Sequence, residues 1–223
     1  MPKLIASAAA LAGVAASIAA VARIAAAHPS ATADPTHAFS VLFALTLTGY
    51  LALSSTLARL GEHAATELWW GLTGALASGA VWAIAALTTP VGTGGIAAYL
   101  WPVGAAATLA VSIGAAAACR SLRGGARAGL LTALLGALMY FSIDLTALLR
   151  LQHYTLTSPY DIAAYPHSGY PDVASYILSD AVAGDILAGL VLYPVTLLAL
   201  AALGAAAGAG LRRLAARGTP HTI

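Results

Sequence analysis

At 223 residues, 60% hydrophobic, 8% charged and with a mean hydropathy of +0.86, this chain is no soluble domain, since those are about one-quarter charged. Its length allows about six spans of roughly 20–25 residues, in one all-α membrane domain covering 1–223. A net charge of +2 with no basic stripe argues against a nucleic-acid partner, and the single cysteine, Cys119, excludes an intramolecular disulfide.

The first apolar run, Leu4 to Ala22, lies between Lys3 and Arg23. It has the charged start and apolar middle of a signal peptide. We expect it to be retained as a span over 4–26, its alanines suited to close helix contact. His28 to His37, with Pro29, Asp34 and Pro35, reads as a loop, and a second span follows over 39–58. Arg59, Gly61, Glu62, His63 and Glu67 form a polar turn. The third span, 68–87, opens on Trp69 and Trp70 as an interfacial anchor. Pro90 and the glycines up to Gly95 break the chain before a fourth span over 96–118. Arg120, Arg123 and Arg127 make the most basic connection, and a fifth span covers 128–149.

Residues 151–180 read as an extracytoplasmic loop. The part from 151 to 171 is too polar and Pro-rich to cross lipid, where irregular backbone leaves amides unpaired. Pro171 suits the first position of a helix. From there to Arg217 no turn signal appears, yet about 45 helical residues reach about 68 Å, twice a membrane core of about 30 Å. We therefore expect a short interfacial helix near Asp172–Leu178, a bend around Gly184 and a sixth span over 184–208. Pro194 would kink that span, and Gly204 and Gly208 would form a small-residue contact face. Lys3, Arg59, Arg120–Arg127 and Arg212–Arg217 then fall on one side, and Asp34, Asp161 and Asp172 on the other. By the positive-inside rule both termini are cytoplasmic, in the cell membrane of a bacterium.

Five of the eight acids and seven of the nine tyrosines lie between Tyr140 and Tyr193. Asp144 sits about 8 Å inside span five, and Asp180 and Asp185 enter span six from the same side. A carboxyl in the membrane costs about 2.5–3.5 kcal/mol, so each is a functional candidate. The plainer roles are a partner for Arg150 or a hydroxyl (Asp144) and a solvated or capping acid (Asp180, Asp185). Tyr140 and Asp144 share a helix face, as do Tyr176 and Asp180. With Trp82, Tyr99 and Trp101 in the outer thirds of their spans, they sketch an outward pocket of acids among rings. Glu67, beside Trp69 and Trp70, reads as an interfacial acid paired with Arg59 or His63.

Three chemistries fit. A protonated acid can start cyclisation at an alkene or epoxide, with ring faces stabilising the carbocation. The same cage can bind a small organic cation, and membrane carboxyls can carry protons for a transporter. The six histidines fall in expected loops or tails without ligand spacing, so no metal or cofactor is expected. There is no G-x-S-x-G or Walker signature, and no D-D-x-x-D motif for magnesium-assisted ionisation of a diphosphate. The expected partners are a lipophilic small-molecule substrate and membrane lipid, with protein partners left open.

In its length, multiple spans, isolated membrane acids, many aromatic residues and lack of aspartate-rich motifs, the chain resembles the integral-membrane terpene cyclases of meroterpenoid and indole-terpenoid pathways. That resemblance implies acid-initiated cyclisation of a prenylated substrate. Asp144, Asp180 and Asp185 would be proton donors or their partners, and Trp82, Tyr99, Trp101, Tyr140 and Tyr176 would line the cavity. It covers the chain in outline, with six spans in place of seven. Glu67 with Asp180 or Asp185, taken as that family's two acids, fall on opposite membrane faces. In size, span count and Ala-rich first helix the chain is also similar to the substrate-binding subunits of vitamin uptake transporters, which implies binding of a small cation or vitamin. A structural subunit whose loop docks a partner is the remaining reading.

Overall fold

A computed structural model describes residues 2–33, 38–59, 64–88, 96–150, 154–156 and 158–217; the side chains of 2–3, 58–59, 64, 87–88, 96–100 and 215–217 lie outside the description. Asp34, His37, His63, the Pro90 loop and His153 therefore fall outside the described residues. What is described is helical, without a strand. The helices are α1 (Pro2–Ala27), α2 (Ala38–Arg59), α3 (Ala64–Thr88), α4 (Ile96–Ala118), α5 (Leu122–Leu148), α6 (Pro159–Ala164), α7 (Val173–Gly184) and α8 (Tyr193–Arg217). A π-helical segment, Asp185–Leu192, joins the last two. Among the described residues, six helical stretches are long and apolar enough to cross a membrane: α1 to α5, and the run from Val173 to Leu214.

The axis of the bundle is α5, which packs on α1, α3, α4 and α8 and buries most of its residues. It begins at Leu122, six residues earlier than the span expected at 128, because Ser121 caps it by accepting the Gly124 N–H at 3.2 Å. Arg123 and Arg127 thus belong to its first turns. The connection from α4 shrinks to residues 119–121. Arg120 turns there with a left-handed φ of 52°, and the Ser121 N–H reaches back to the Ala116 carbonyl at 3.2 Å, the closing bond of a helix C-cap. Burial, with Glu67 adding, pushes the neighbouring Cys119 thiol up from its usual range.

The expected small-residue face of α8 meets α4. A methyl group at Gly204 would come within 2.8 Å of Ser112 Cβ, and one at Gly208 within 2.5 Å of the Ile113 carbonyl. The two backbones touch because neither glycine has a side chain.

No residue between Val173 and Arg217 leaves the helix. Gly184 is therefore not a break, and the irregularity lies in the π turns that follow. Its cause is Pro194. In an α-helix the Leu190 carbonyl would pair with the N–H of residue 194; proline has none, and its ring crowds that carbonyl. The chain widens upstream, with the Tyr193 N–H reaching the Ala188 carbonyl, five residues back. The Leu190 carbonyl is taken instead by the Tyr50 hydroxyl of α2, which donates to it at 2.7 Å.

Between α5 and α7, Ser158 caps the short α6 and a turn follows at Tyr165–His167. The expected interfacial helix at Asp172–Leu178 proves to be the opening turns of α7. Asp172 caps them by accepting the Ser175 N–H at 2.7 Å and its hydroxyl at 2.9 Å. These bonds hold the Asp172 carboxyl below its usual range. Ser30 donates to the Ser175 hydroxyl at 2.8 Å, which pins the 3-10 turn Pro29–Thr32 onto α7.

Candidate functional site

α3 and α5 run parallel, and Trp82 stacks on Tyr140 with ring centroids 4.2 Å apart. Tyr140 projects across to the π segment and donates its hydroxyl to Asp185 Oδ1 at 2.9 Å. Gly189 makes this reach possible: a Cβ there would stand 2.5 Å from the Tyr140 ring. One turn further, Tyr193 packs on Trp101 at 5.1 Å and faces Tyr140 at 6.4 Å. Asp185, Gly189 and Tyr193 are spaced by four, so all three lie along the face that α8 and the π segment turn inward.

The Asp185 carboxyl is 8% exposed. Its second oxygen, Oδ2, is buried and has no hydrogen-bond partner. Asp144, one turn beyond Tyr140 on α5, is its electrostatic neighbour, carboxyl against carboxyl. Among the described residues no Lys, Arg or His reaches either acid; the described ion pair lies at the far end of the bundle. Ser78 Oγ and Trp82 Nε1 on α3 are also buried, and both lie within reach of the Tyr193 hydroxyl without a well-formed hydrogen bond to it. A line of buried polar atoms without well-formed hydrogen bonds thus runs from Asp185 past Tyr140 to Ser78. Buried polar groups left open in this way call for a proton, a water or a ligand.

Of the residues singled out in the sequence, Asp144, Asp185, Tyr140, Trp82 and Trp101 come together here. Asp180 does not join them. It is exposed, and its electrostatic neighbour is Asp161. Tyr176 belongs with that group: its hydroxyl donates to Asp161 Oδ1 at 3.3 Å, and its ring packs on Tyr165 and Tyr170. The Tyr99 side chain is outside the described residues. Glu67 pairs with Arg127 of α5 at 3.5 Å. The partners expected for it do not supply a described contact, because Arg59's side chain and His63 both fall outside the description. Tyr193 and Ser78 were not among the sequence candidates. The four-residue step from Asp185 to Gly189 to Tyr193 is the signal that finds the first; nothing in the sequence marks Ser78.

Among the described residues, two cavities are lined by neither Asp144 nor Asp185. One, of about 250 Å³, is beside the turn after α1 and is walled partly by α7. The other, of about 370 Å³ and almost wholly apolar, is a groove between α1, α3 and α5. Among the described residues no three His, Cys, Asp or Glu side chains gather as a metal site. In comparisons with protein-family models, curated proteins and solved structures, nothing matches this chain.

Proposed function

We propose that this chain is a small membrane carrier that binds and releases a proton at the Asp144–Asp185 pair, coupled to the passage of a small solute. One observation carries the reading: two carboxyls from different helices lie side by side, one of them deeply buried, with no cation at hand among the described residues. Two negative charges so placed repel, and one proton held between them removes the repulsion. The open Oδ2 of Asp185 is the natural acceptor for an O–H of Asp144. Tyr140 fixes the other oxygen and with it the direction of the carboxyl. In this reading both termini lie in the cytoplasm and the acid pair in the outer half of the membrane. The arginines that open α5 and close α8 support this orientation.

Purified protein in vesicles holding a pH-sensitive dye, challenged with small neutral and cationic solutes, tests the reading. Solute-driven proton movement is expected in the wild type and in Asp180→Asn, and should be lost in Asp144→Asn and Asp185→Asn. Continued coupling in Asp185→Asn would sink the proposal.

The aromatic wall favours a second reading. Trp82, Tyr140, Tyr193 and Trp101 stack in sequence beside Asp185, as a terpene cyclase would require. There the acid's proton adds to an alkene or epoxide, ring closure passes the positive charge along the substrate, and a proton returns to the carboxylate. A cyclised product from a prenylated phenol or its epoxide, formed by the wild type and by neither Asp variant, would replace the carrier reading with this one.

A further inference from the structure

We infer that the cavity beside the turn after α1 is a binding site for a small, neutral, mostly apolar molecule that carries a hydroxyl or carbonyl group. Its walls come from the end of α1, the turn at 31–33, the start of α2, Tyr170 and one side of α7. Every described residue lining it is uncharged. A charged ligand would exchange its hydration for apolar walls that, among the described residues, offer nothing opposite in charge.

The polar groups that do line the cavity are hydroxyls, on Thr32, Ser40, Tyr170 and Ser179. Tyr170 and Ser179 hydrogen-bond to each other. Whichever of them donates, the other keeps an O–H hydrogen to offer, so the ligand should bring an acceptor oxygen. Phe43, Val182 and Ile186 supply the apolar surface. The volume of about 250 Å³, against about 30 Å³ for one water in the liquid, suits a molecule of on the order of ten non-hydrogen atoms. It is just below the usual range of ligand pockets, roughly 300–1,000 Å³.

Ile186 ties this cavity to the acid pair. It lies in the first turn of the π segment, next to Asp185, whose carboxyl faces the opposite way toward Tyr140. A solute in the cavity and a proton on the acid would thus act on one stretch of irregular helix. The role of the cavity as the loading site for the solute rests on the carrier reading; the binding itself rests on the cavity alone.

The probe is 1-naphthol, with 1-naphthoate and 1-naphthylmethylammonium as its charged counterparts, titrated into the purified full chain in detergent. The neutral alcohol should bind saturably, at least tenfold more tightly than either ion. Ala183→Phe fills the cavity from α7 and should weaken binding at least tenfold. Ser179→Ala, a milder change for the case where the bulky variant does not fold, should weaken it about threefold or more. Equal affinity for the three probes, or 1-naphthol binding unchanged in the variants, overturns the inference. So does a cavity that holds only co-purifying lipid and admits no naphthol. Proton movement measured in vesicles from the same preparation separates the two proposals. Naphthol binding without coupling leaves this site standing and removes the carrier; coupling without naphthol binding does the reverse.

Discussion

Glu67 is 5% exposed, and its cation among the described residues is the Arg127 guanidinium 3.5 Å away. Its Oε1 also lies within 2.9 Å of where a Gly124 side chain would start, at the first turn of α5, where the helix dipole favours negative charge. Removing the arginine takes from this buried carboxylate the counterion it has among the described residues, a change that costs about 3 kcal/mol. Arg127→Ala should therefore lower the melting temperature of the solubilised protein clearly. Glu67→Gln introduced into that variant should recover most of the loss by removing the stranded charge. An unchanged melting temperature in Arg127→Ala would mean that the pair contributes nothing. Nearness in sequence favours Arg59 or His63 as the partner for Glu67. The described partner is 60 positions away because α3 and α5 start at the same level, a register that no local pattern reveals.

Among the elements, the π segment decides where Asp185 points, and its cause can be tested by a thermodynamic cycle. Tyr50→Phe strips the Leu190 carbonyl of its donor, and a buried carbonyl left open costs about 1–3 kcal/mol. In Pro194→Ala the restored N–H of residue 194 can take that carbonyl, and Tyr50→Phe should then cost much less. The two effects should therefore be non-additive in unfolding measurements. Strict additivity would show that proline and tyrosine act independently and that Pro194 does not set the π turns. The sequence showed Pro194 as an irregularity in a long apolar helix. It did not show the direction of the change, since reading faces at 3.6 residues per turn assumes away the extra residue that a π turn inserts. For the same reason Tyr140 and Asp144 could be set on one face of α5, while Asp180 and Asp185 looked equivalent. Burial separates them: Asp185 is turned inward and Asp180 outward.

At the scale of the whole molecule, the six apolar stretches were legible because lipid demands long runs of uncharged residues, and the helices recover those runs to within a few residues at most ends. The exceptions are the start of α5, where a serine cap sets the boundary that the arginines obscure, and the uninterrupted run from Val173 to Arg217. Which side of the membrane each end occupies is fixed by charge rather than by packing, so it is open to a direct test. Leu122 begins α5 and is 52% exposed; Tyr160 lies past its other end and is 77% exposed. The 27 residues of α5 put about 40 Å between its ends at 1.5 Å per residue, more than a membrane core. In a Cys119→Ala background, Tyr160→Cys should react with a membrane-impermeant thiol reagent on intact cells. Leu122→Cys should react only once the membrane is opened, because the proposed orientation sets the arginines at 120, 123 and 127 on the cytoplasmic side. The opposite pattern would invert the orientation and place Asp144 and Asp185 in the inner half of the membrane. A proton bound there would come from the cytoplasm instead of from outside.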